Sequence, residues 1–133
     1  MKKRGFGVGK WNGFGGKLHD GENVIQAALR EITEEAGITP AFLTSVAVID
    51  FSFADKPEWD QQVHVFTAKK WAGDPTETEE MAPQWFSYTN IPYTSMWPDD
   101  IFWLPQVLSG KTLTAQFAFD ADQKLVGHLV KLK

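Results

Sequence analysis

The chain has 133 residues and no cysteine, a length that predicts one domain over residues 1–133 and a composition that excludes disulfides and thiolate metal sites. Its net charge of −4 excludes a generally basic surface for a nucleic acid polymer, and no apolar run approaches the ~18 residues of a membrane span. The absence of cysteine suits the reducing cytoplasm, where we expect the protein to act. The start of the chain is locally basic, and Lys2, Lys3, Arg4 and Lys10 suffice for one small phosphorylated ligand.

The first predicted element follows a glycine-rich stretch of 21 residues that predicts loop with brief strand. In residues 22–36, five apolar positions recur at helical spacing, and Gly37 follows as a stop signal. The segment therefore predicts an amphipathic helix with an apolar stripe. The stripe consists of Ile25, Ala28, Leu29, Ile32 and Ala36.

Beyond this helix, runs of β-branched and aromatic residues predict several strands. A second helix is predicted at residues 99–110, interrupted by Pro105 and closed by Gly110. Because strands and helices do not follow a regular βαβ rhythm, the sequence predicts a mixed α+β sandwich rather than a doubly wound parallel sheet. The predicted strands are 44–53, 61–71, 83–88 and a terminal hairpin of 113–120 and 124–133 around residues 120–122.

Three glutamates, Glu31, Glu34 and Glu35, fall within about 100° of arc on the first helix, beside its apolar stripe. Like charges at this spacing repel one another, and Arg30 offsets only part of that cost. A bound cation would relieve the repulsion, and hard carboxylate oxygens suit Mg²⁺ or Mn²⁺. A solvated acidic face is the alternative, because glutamate is also a common surface residue of helices.

The spacing of these acids relative to the neighbouring glycines is more specific than the acids alone. A chance match to such a pattern in so short a chain is below roughly one in a million. The pattern resembles the Nudix box, the signature of hydrolases that act on a nucleoside diphosphate linked to another moiety. It reads G-x5-E-x7-R-E-U-x-E-E-x-G-U, where U is aliphatic, and is matched by Gly16, Glu22, Arg30, Glu31, Ile32, Glu34, Glu35, Gly37 and Ile38.

The resemblance implies an α/β/α sandwich with a mixed β-sheet, in which the box forms a loop, a helix and a second loop. It also implies a divalent metal, Mg²⁺ with Mn²⁺ as a substitute, held by Glu31, Glu34 and Glu35 together with Gly16. Either Glu35 or Glu34 would deprotonate the attacking water, and Arg30 would hold a glutamate in place. The glycines before the helix would let the backbone approach a pyrophosphate closely.

Stretches outside the box, namely "KKRGFG", "WNGFGGK", "VHVF" and "MWPDD", are similar to the MutT-homologue branch of this family, above all to its vertebrate members. Such enzymes cleave oxidised purine nucleoside triphosphates, of the 8-oxo-dGTP and 2-hydroxy-dATP type, to the monophosphate and pyrophosphate. They thereby cleanse the nucleotide pool and avoid DNA damage. The resemblance implies that Asn12, Asp99 and Asp100 read the base edge, that Lys2, Phe6, Phe51, Met81 and Trp97 bind substrate with Met96 nearby, and that Glu80 adds a metal contact.

The adjacent acids Asp99 and Asp100 also carry a physical argument of their own. Purine edges present donors and acceptors, whereas an ionised carboxylate can only accept. Two neighbouring acids in an aromatic pocket repel, and burial further favours a neutral form, so one protonated and one ionised acid would read an edge that carries both groups. Exchange of the proton between them would let one pocket accept guanine-like and adenine-like oxidised bases.

Simpler roles stand beside these. Asp99 and Asp100 follow Pro98 at the predicted helix start, where acids also serve as N-caps. Asn12 suits a tight turn, and Trp97 suits an ordinary core position. Met81 would be an adaptable core residue if the pocket lies elsewhere.

The sequence departs from this branch at its start, because the relatives carry about twenty earlier residues with a central strand whose loss would leave backbone groups unpaired. The first strand of the family is therefore expected to be absent. Three explanations remain: an internal methionine recorded as the start, a homodimer in which a second copy restores the sheet, or a trimmed variant of altered activity. The segment "ADKPEWDQQ" is also longer than in the relatives, which leaves the pocket contacts between Phe53 and Val63 open.

Two other functions remain open on the sequence. One is a Nudix pyrophosphohydrolase of different specificity, acting on canonical dNTPs, dinucleoside polyphosphates or O6-alkylated purines. The other is a non-catalytic module that binds a nucleotide or a protein on a truncated Nudix core. The complete set of glutamates argues against the module, and the missing strand argues for it.

Overall fold

A computed structural model describes residues 1–4 and 7–133, so Phe6, predicted to bind substrate, lies outside the described residues. Within these residues, no helix combines the length and apolar character needed to cross a membrane. The elements follow one another as α1 (Val24–Ala36), β1 (Thr39–Pro40), β2 (Thr44–Phe53), β3 (Gln61–Thr67), β4 (Trp71–Ala72), α2 (Asp100–Leu108), β5 (Leu113–Phe119) and β6 (Leu125–Leu132), with short 3-10 turns at Pro57–Trp59 and Tyr93–Ser95.

These elements belong to two compact units of the chain. The first unit contains α1 and the small β1–β4 pairing, and the second contains α2 and the main sheet. The prediction of a single domain over the whole chain stays a prediction. The first unit comprises Met1–Thr44 and Ala68–Met96, and the second comprises Ser45–Thr67 and Trp97–Lys133.

Both ends of α1 are fixed by local caps, of which only the one at the end of the helix involves a motif residue, Gly37. Asn23 Oδ1 accepts a 2.8 Å hydrogen bond from the backbone N–H of Gln26, and Gln26 Oε1 accepts one of 2.9 Å from the N–H of Asn23. This reciprocal capping box satisfies two amide groups that the helix leaves free. Gly37 ends the helix at a φ of 72°, in the left-handed region where a side chain is strained. The helix predicted at residues 22–36 is thus confirmed.

The buried side of α1 differs from the predicted apolar stripe. Ala27, Glu35 and Ala36 are buried, whereas Ile25 is 47 % exposed. Ala27 and Glu35 are eight residues apart and therefore lie on one face, about two turns from each other. A glutamate can occupy this face because its carboxylate accepts a backbone hydrogen bond there, which offsets the cost of its burial.

The strand predicted at residues 83–88 is wrong, because this segment has no ladder partner among the described residues. Its aromatic side chains are held by ring contacts instead. Phe86 packs edge-on against Trp11 at 4.9 Å between ring centroids, and Trp85 stacks on Trp71 at 5.4 Å. A run of aromatic residues fits either a strand or such a cluster, so composition alone misassigned it.

The second unit carries a four-stranded mixed sheet in the order β3-β2-β5-β6. Strands β2 and β5 are parallel, with Phe51 beside Phe117 and Phe53 beside Phe119, and β5 and β6 are antiparallel. The α+β prediction with a mixed sheet is confirmed, as are the strand at 44–53 and the terminal hairpin. The strand predicted at 61–71 ends earlier, at Thr67.

The core of this unit lies where β2, β5 and α2 meet. In β5, buried side chains alternate with half-buried or exposed ones, whereas β2 is less regular because Val46 and Ala47 are both buried. Val107 brings α2 into the same cluster, and Trp97 and Trp103 pack against its edge. The buried members are Val46, Ala47, Ile49, Phe53, Val107, Leu113, Ala115, Phe117 and Phe119.

Candidate active site

Glu35 joins α1 to the glycine-rich loop before it. Its side chain is 1 % exposed, and its Oε1 accepts a hydrogen bond of 2.7 Å from the backbone N–H of Gly15. Burial raises the pKa of Glu35, the Gly15 N–H lowers it, and the nearby Glu31 raises it again. The loop therefore meets the helix at a buried carboxyl group.

Glu31 lies against the next residue of that loop. A Cβ atom placed on Gly16 would be 2.4 Å from Cδ and Oε1 of Glu31, so only a glycine allows the present approach. By contrast, a Cβ on Gly13 or Gly15 would meet nothing within 4 Å. The predicted metal residues Gly16, Glu31 and Glu35 are thus neighbours, and the glycine of the motif has a steric reason at this position.

Arg30 holds three glutamates of this region in place. Its Nε and Nη2 donate to the two carboxylate oxygens of Glu22 at 2.7 and 3.0 Å, and its Nη1 donates to Glu31 at 2.7 Å and to Glu34 at 3.3 Å. Nη2 also donates to the carbonyl of Lys17 at 3.0 Å. These bonds lower the pKa of Glu22 to about 2 and raise that of Arg30. A planar guanidinium suits this divided set of acceptors, whereas an ammonium does not.

The start of the chain brings two further predicted residues toward Glu35. Lys2 forms an antiparallel bridge with Met81, and the N–H of Lys3 donates to the carbonyl of Glu80 at 2.8 Å. Lys2 lowers the pKa of Glu35 and Glu80 raises it. The charges of Lys2 and Glu80 therefore act on the same buried carboxyl group, while Met81 itself is 1 % exposed in the interior of this unit.

In the part of the chain that the structure describes, no three His, Cys, Asp or Glu side chains lie close enough together to hold a metal ion as they stand. Instead, the carboxylate of Glu31 accepts a hydrogen bond from Arg30, and that of Glu35 accepts one from the Gly15 N–H. The chemistry of the donor set nevertheless fits a hard divalent cation, because Glu31, Glu34, Glu35 and Glu80 supply carboxylate oxygens. Glu31 and Glu80 both raise the pKa of Glu35, and a bound cation would offset this repulsion.

Asp99 and Asp100 lie in the second unit, at the start of α2, and are 2 % and 5 % exposed. Asp99 occupies the N-cap position, but its side chain makes no capping hydrogen bond, so a plain helix cap does not describe it. Its Oδ2 instead accepts a 2.9 Å hydrogen bond from Trp103 Nε1. Burial raises the pKa of both acids, and the added charge of Asp99 contributes to a pKa of about 8 for Asp100.

The remaining predicted substrate residues have mainly aromatic or backbone contacts. In the second unit, Phe51 stacks on Phe117 at 5.9 Å, and Trp97 meets Phe119 edge-on at 5.9 Å. In the first unit, Asn12 is exposed, and its Oδ1 accepts a 3.0 Å bond from the N–H of the next residue, as expected for a turn. Their assignment to a substrate pocket stays a prediction.

Sequence reasoning missed three residues that support the acids. The hydrogen bond from the Gly15 N–H could not be predicted, because the sequence does not show in which direction a backbone N–H points. Thr78 Oγ1 donates to the carbonyl of Glu35 at 3.0 Å, although 43 residues separate the two in the chain. Trp103 could have been found, since it lies four residues after Asp99 on a predicted helix.

Comparison with known proteins supports a common ancestry over nearly the whole chain. Residues 1–107 match the model of the NUDIX domain. The chain is 47 % identical over 128 residues to the oxidized purine nucleoside triphosphate hydrolase of Danio rerio, covering 96 % of this chain and 81 % of that protein. It is 44 % identical over 131 residues to the enzyme of the same name from Mus musculus, covering 98 % and 83 %.

A solved structure shares the fold at a lower level of identity. The MutT protein of Bacillus halodurans superposes with a TM-score of 0.84 at 22 % identity, covering 92 % of this chain and 83 % of that chain. The family match covers the glycine-rich loop, α1 and Glu80, and therefore all the glutamates of the candidate site. On these grounds the chain belongs to the NUDIX domain family.

Proposed function

We propose that this protein is a Nudix pyrophosphohydrolase that cleaves oxidised purine nucleoside triphosphates to the monophosphate and pyrophosphate. The observation that carries the proposal is the approach of two helical carboxylates to glycine backbone, Glu31 to Gly16 and Glu35 to Gly15. Acids in contact with a pliable loop suit metal-assisted binding of a pyrophosphate. The names of the zebrafish and mouse relatives support the oxidised purine as the substrate.

Hydrolases of this family generally use divalent metal ions, and we assign Mg²⁺, with Mn²⁺ as a substitute. When bound, the ion neutralises phosphate charge and lowers the pKa of water. Glu31, Glu34, Glu35, Glu80 and Gly16 would hold it, the last through its carbonyl. The basic chain start, with Lys2, would add positive charge for the phosphates.

In the reaction, a water oxygen bonds to phosphorus while the bridging P–O bond breaks, and pyrophosphate leaves with the electron pair of that bond. The proton of the water passes to Glu35 or Glu34. The two differ in setting, because Glu35 is buried against Gly15 whereas Glu34 is exposed and 3.3 Å from Arg30. Arg30 fixes the acids around the helix, so that they do not need to be ordered during the reaction.

For the base, we propose that Asp99 and Asp100 form the reading pair. With one acid neutral and the other ionised, the pair presents a donor and an acceptor, which a purine edge requires. The aromatic residues Phe51 and Trp97 of the same unit would supply stacking surface. If Asp99→Asn and Asp100→Asn both leave the relative rates on 8-oxo-dGTP and 2-hydroxy-dATP unchanged, this assignment is wrong.

The decisive experiment is a pyrophosphate-release assay on 8-oxo-dGTP beside dGTP, with and without Mg²⁺. We expect metal-dependent turnover with a higher kcat/KM for the oxidised nucleotide, and its loss in Glu35→Gln with nucleotide binding retained. Glu58→Gln, an exposed glutamate outside the acidic cluster, serves as the matched control. Preference for dGTP would indicate another Nudix specificity, and binding without any turnover would indicate a non-catalytic module.

Two further parts of the proposal concern the setting of the reaction. The lack of cysteine supports action in the cytoplasm. A homodimer is supported by the sheet of the second unit, in which β3 and β6 are the end strands within the described residues and present backbone groups for a partner strand. Light scattering on the purified protein tests the dimer, and a monomer at every concentration would contradict it.

A further inference from the structure

Trp103 lies beside the Asp99–Asp100 pair and forms a hydrogen bond with Asp99. Its indole N–H, the only polar group of the side chain, donates to Asp99 Oδ2 at 2.9 Å. The two residues are one turn apart on α2, and Trp103 also packs against the buried core of its unit. The ring is therefore held by packing, and the direction of its N–H is fixed toward Asp99.

Asp100 is in the opposite situation. Its Oδ2 is buried and has no hydrogen-bond partner among residues 1–4 and 7–133. An ionised oxygen in such a place loses its hydration without any donor in return, whereas a neutral carboxyl carries a hydrogen of its own and tolerates burial better. Burial thus disfavours the charge on both acids, but a donor offsets this cost at Asp99 Oδ2, whereas Asp100 Oδ2 has no such partner.

Few other titratable groups face this pair. The rest of α2, and β5 packed against it, contain no titratable side chain. Strand β6 contributes His128, whose ring stacks on Phe102 of α2 at 4.2 Å, and Lys131. Neither donates the bond that Asp99 receives, so the asymmetry between the two acids comes from the Trp103 bond to Asp99 and from the unpartnered Oδ2 of Asp100.

The geometry points to Trp103 as a specificity-positioning residue, whose N–H keeps Asp99 ionised and leaves the shared proton on Asp100. The inference rests on the proposed function, since the ordered pair matters only if it reads a base. In support, burial raises the pKa of both acids, and the Trp103 bond is the largest influence that lowers the pKa of Asp99; Trp103 also lowers the pKa of Asp100, but there the raising effect of Asp99 is larger.

The consequence is a built-in preference between two kinds of base edge. With the proton on Asp100, the pair offers an acceptor at the first acid and a donor at the second. A base whose edge needs the reverse order requires the proton to move to Asp99, where the Trp103 bond to a carboxylate would weaken into one to a neutral acid. The bond therefore sets the ratio of rates on guanine-like and adenine-like oxidised purines.

Trp103→Phe tests this, because it keeps an aromatic ring and removes the N–H. We expect the ratio of kcat/KM for 8-oxo-dGTP and 2-hydroxy-dATP to change by at least about tenfold, or about 1.4 kcal/mol. Titration of the Asp carboxyl carbons by NMR should show a higher pKa for Asp99 in the variant. Trp85→Phe, which removes an exposed indole N–H from the first unit, should change neither quantity.

A second measurement needs no substitution in α2. In the unsubstituted protein, Asp99 should lose its proton at a lower pH than Asp100, with the two carbons assigned through Asp99→Asn and Asp100→Asn. The reverse order would overturn the inference, as would an unchanged ratio and an unchanged Asp99 titration in a folded Trp103→Phe. If the unsubstituted protein hydrolyses neither oxidised nucleotide, the proposed function fails, whereas the titration order still decides where the proton lies.

Discussion

Gly16→Ala should damage catalysis while leaving the fold almost unchanged. The added Cβ would lie 2.4 Å from Cδ and Oε1 of Glu31, and 2.8 Å from its Oε2. Ordinary contacts between such atoms are about 3.5 Å, so the carboxylate has to move by about 1 Å. That movement breaks the 2.7 Å hydrogen bond between Arg30 and Glu31 and displaces a proposed metal ligand.

The size of the effect follows from this displacement. Misplacement of a catalytic group by about 1 Å costs on the order of 100-fold in rate, which corresponds to about 2.7 kcal/mol of activation free energy. The free energy of unfolding should change by less than about 1 kcal/mol, because the atoms that must move are the free end of a flexible side chain. A large kinetic loss with a small loss of stability is therefore expected.

The assay compares kcat/KM for 8-oxo-dGTP, from pyrophosphate release in Mg²⁺, with the midpoint of urea unfolding. Gly15→Ala is the matched control, since its Cβ would meet nothing within 4 Å and its N–H to Glu35 is retained. If Gly16→Ala and Gly15→Ala have the same kcat/KM, the contact between Gly16 and Glu31 has no part in catalysis and the steric reasoning is refuted.

Three other substitutions test separate parts of the site. Arg30→Lys keeps the charge but loses the fork that binds Glu22 and Glu31, so kcat should fall roughly 10- to 100-fold with little change in KM; an unchanged kcat would contradict this. Thr78→Val removes the donor to the Glu35 carbonyl and should lower the free energy of unfolding by about 1–3 kcal/mol in urea, whereas Thr78→Ser should restore most of it. Because folding raises the pKa of Asp100 from 3.8 to about 8, its contribution to stability is complete below about pH 4 and is lost as the pH rises through about 8. Asp100→Asn should therefore flatten the fall in unfolding free energy over that range, and an equally steep fall would show that this carboxyl does not hold the proton.

Local patterns were sufficient for the elements whose signals agree with one another. The helix at α1 has a helical period and a glycine stop, and it ends where the sequence predicts, although its buried face differs from the predicted stripe. The terminal hairpin is similar, since its alternation and its turn at Asp120 point to the same register. The segment 83–88 has aromatic composition alone, and composition does not distinguish a ladder from a ring cluster.

The site was predictable where the chemistry lies on one element and less so where it depends on distant segments. The acids of α1 and the pair Asp99–Asp100 could be singled out by spacing and adjacency. Their asymmetry could not, because it depends on which oxygen Trp103 reaches and on burial. The contribution of Thr78 requires the return of the chain to the end of α1, which no local pattern contains.

The double engagement of Glu35 limits how this motif can be transplanted. The carboxylate of Glu35 accepts a hydrogen bond from Gly15, and its carbonyl accepts one from Thr78. Three segments of the chain that are separate in sequence therefore meet at this residue. A peptide that spans only the loop and the helix would carry every motif glutamate but lack the hydrogen bond from Thr78 to Glu35. Transfer of the motif into another protein would therefore require the segment around Thr78 as well.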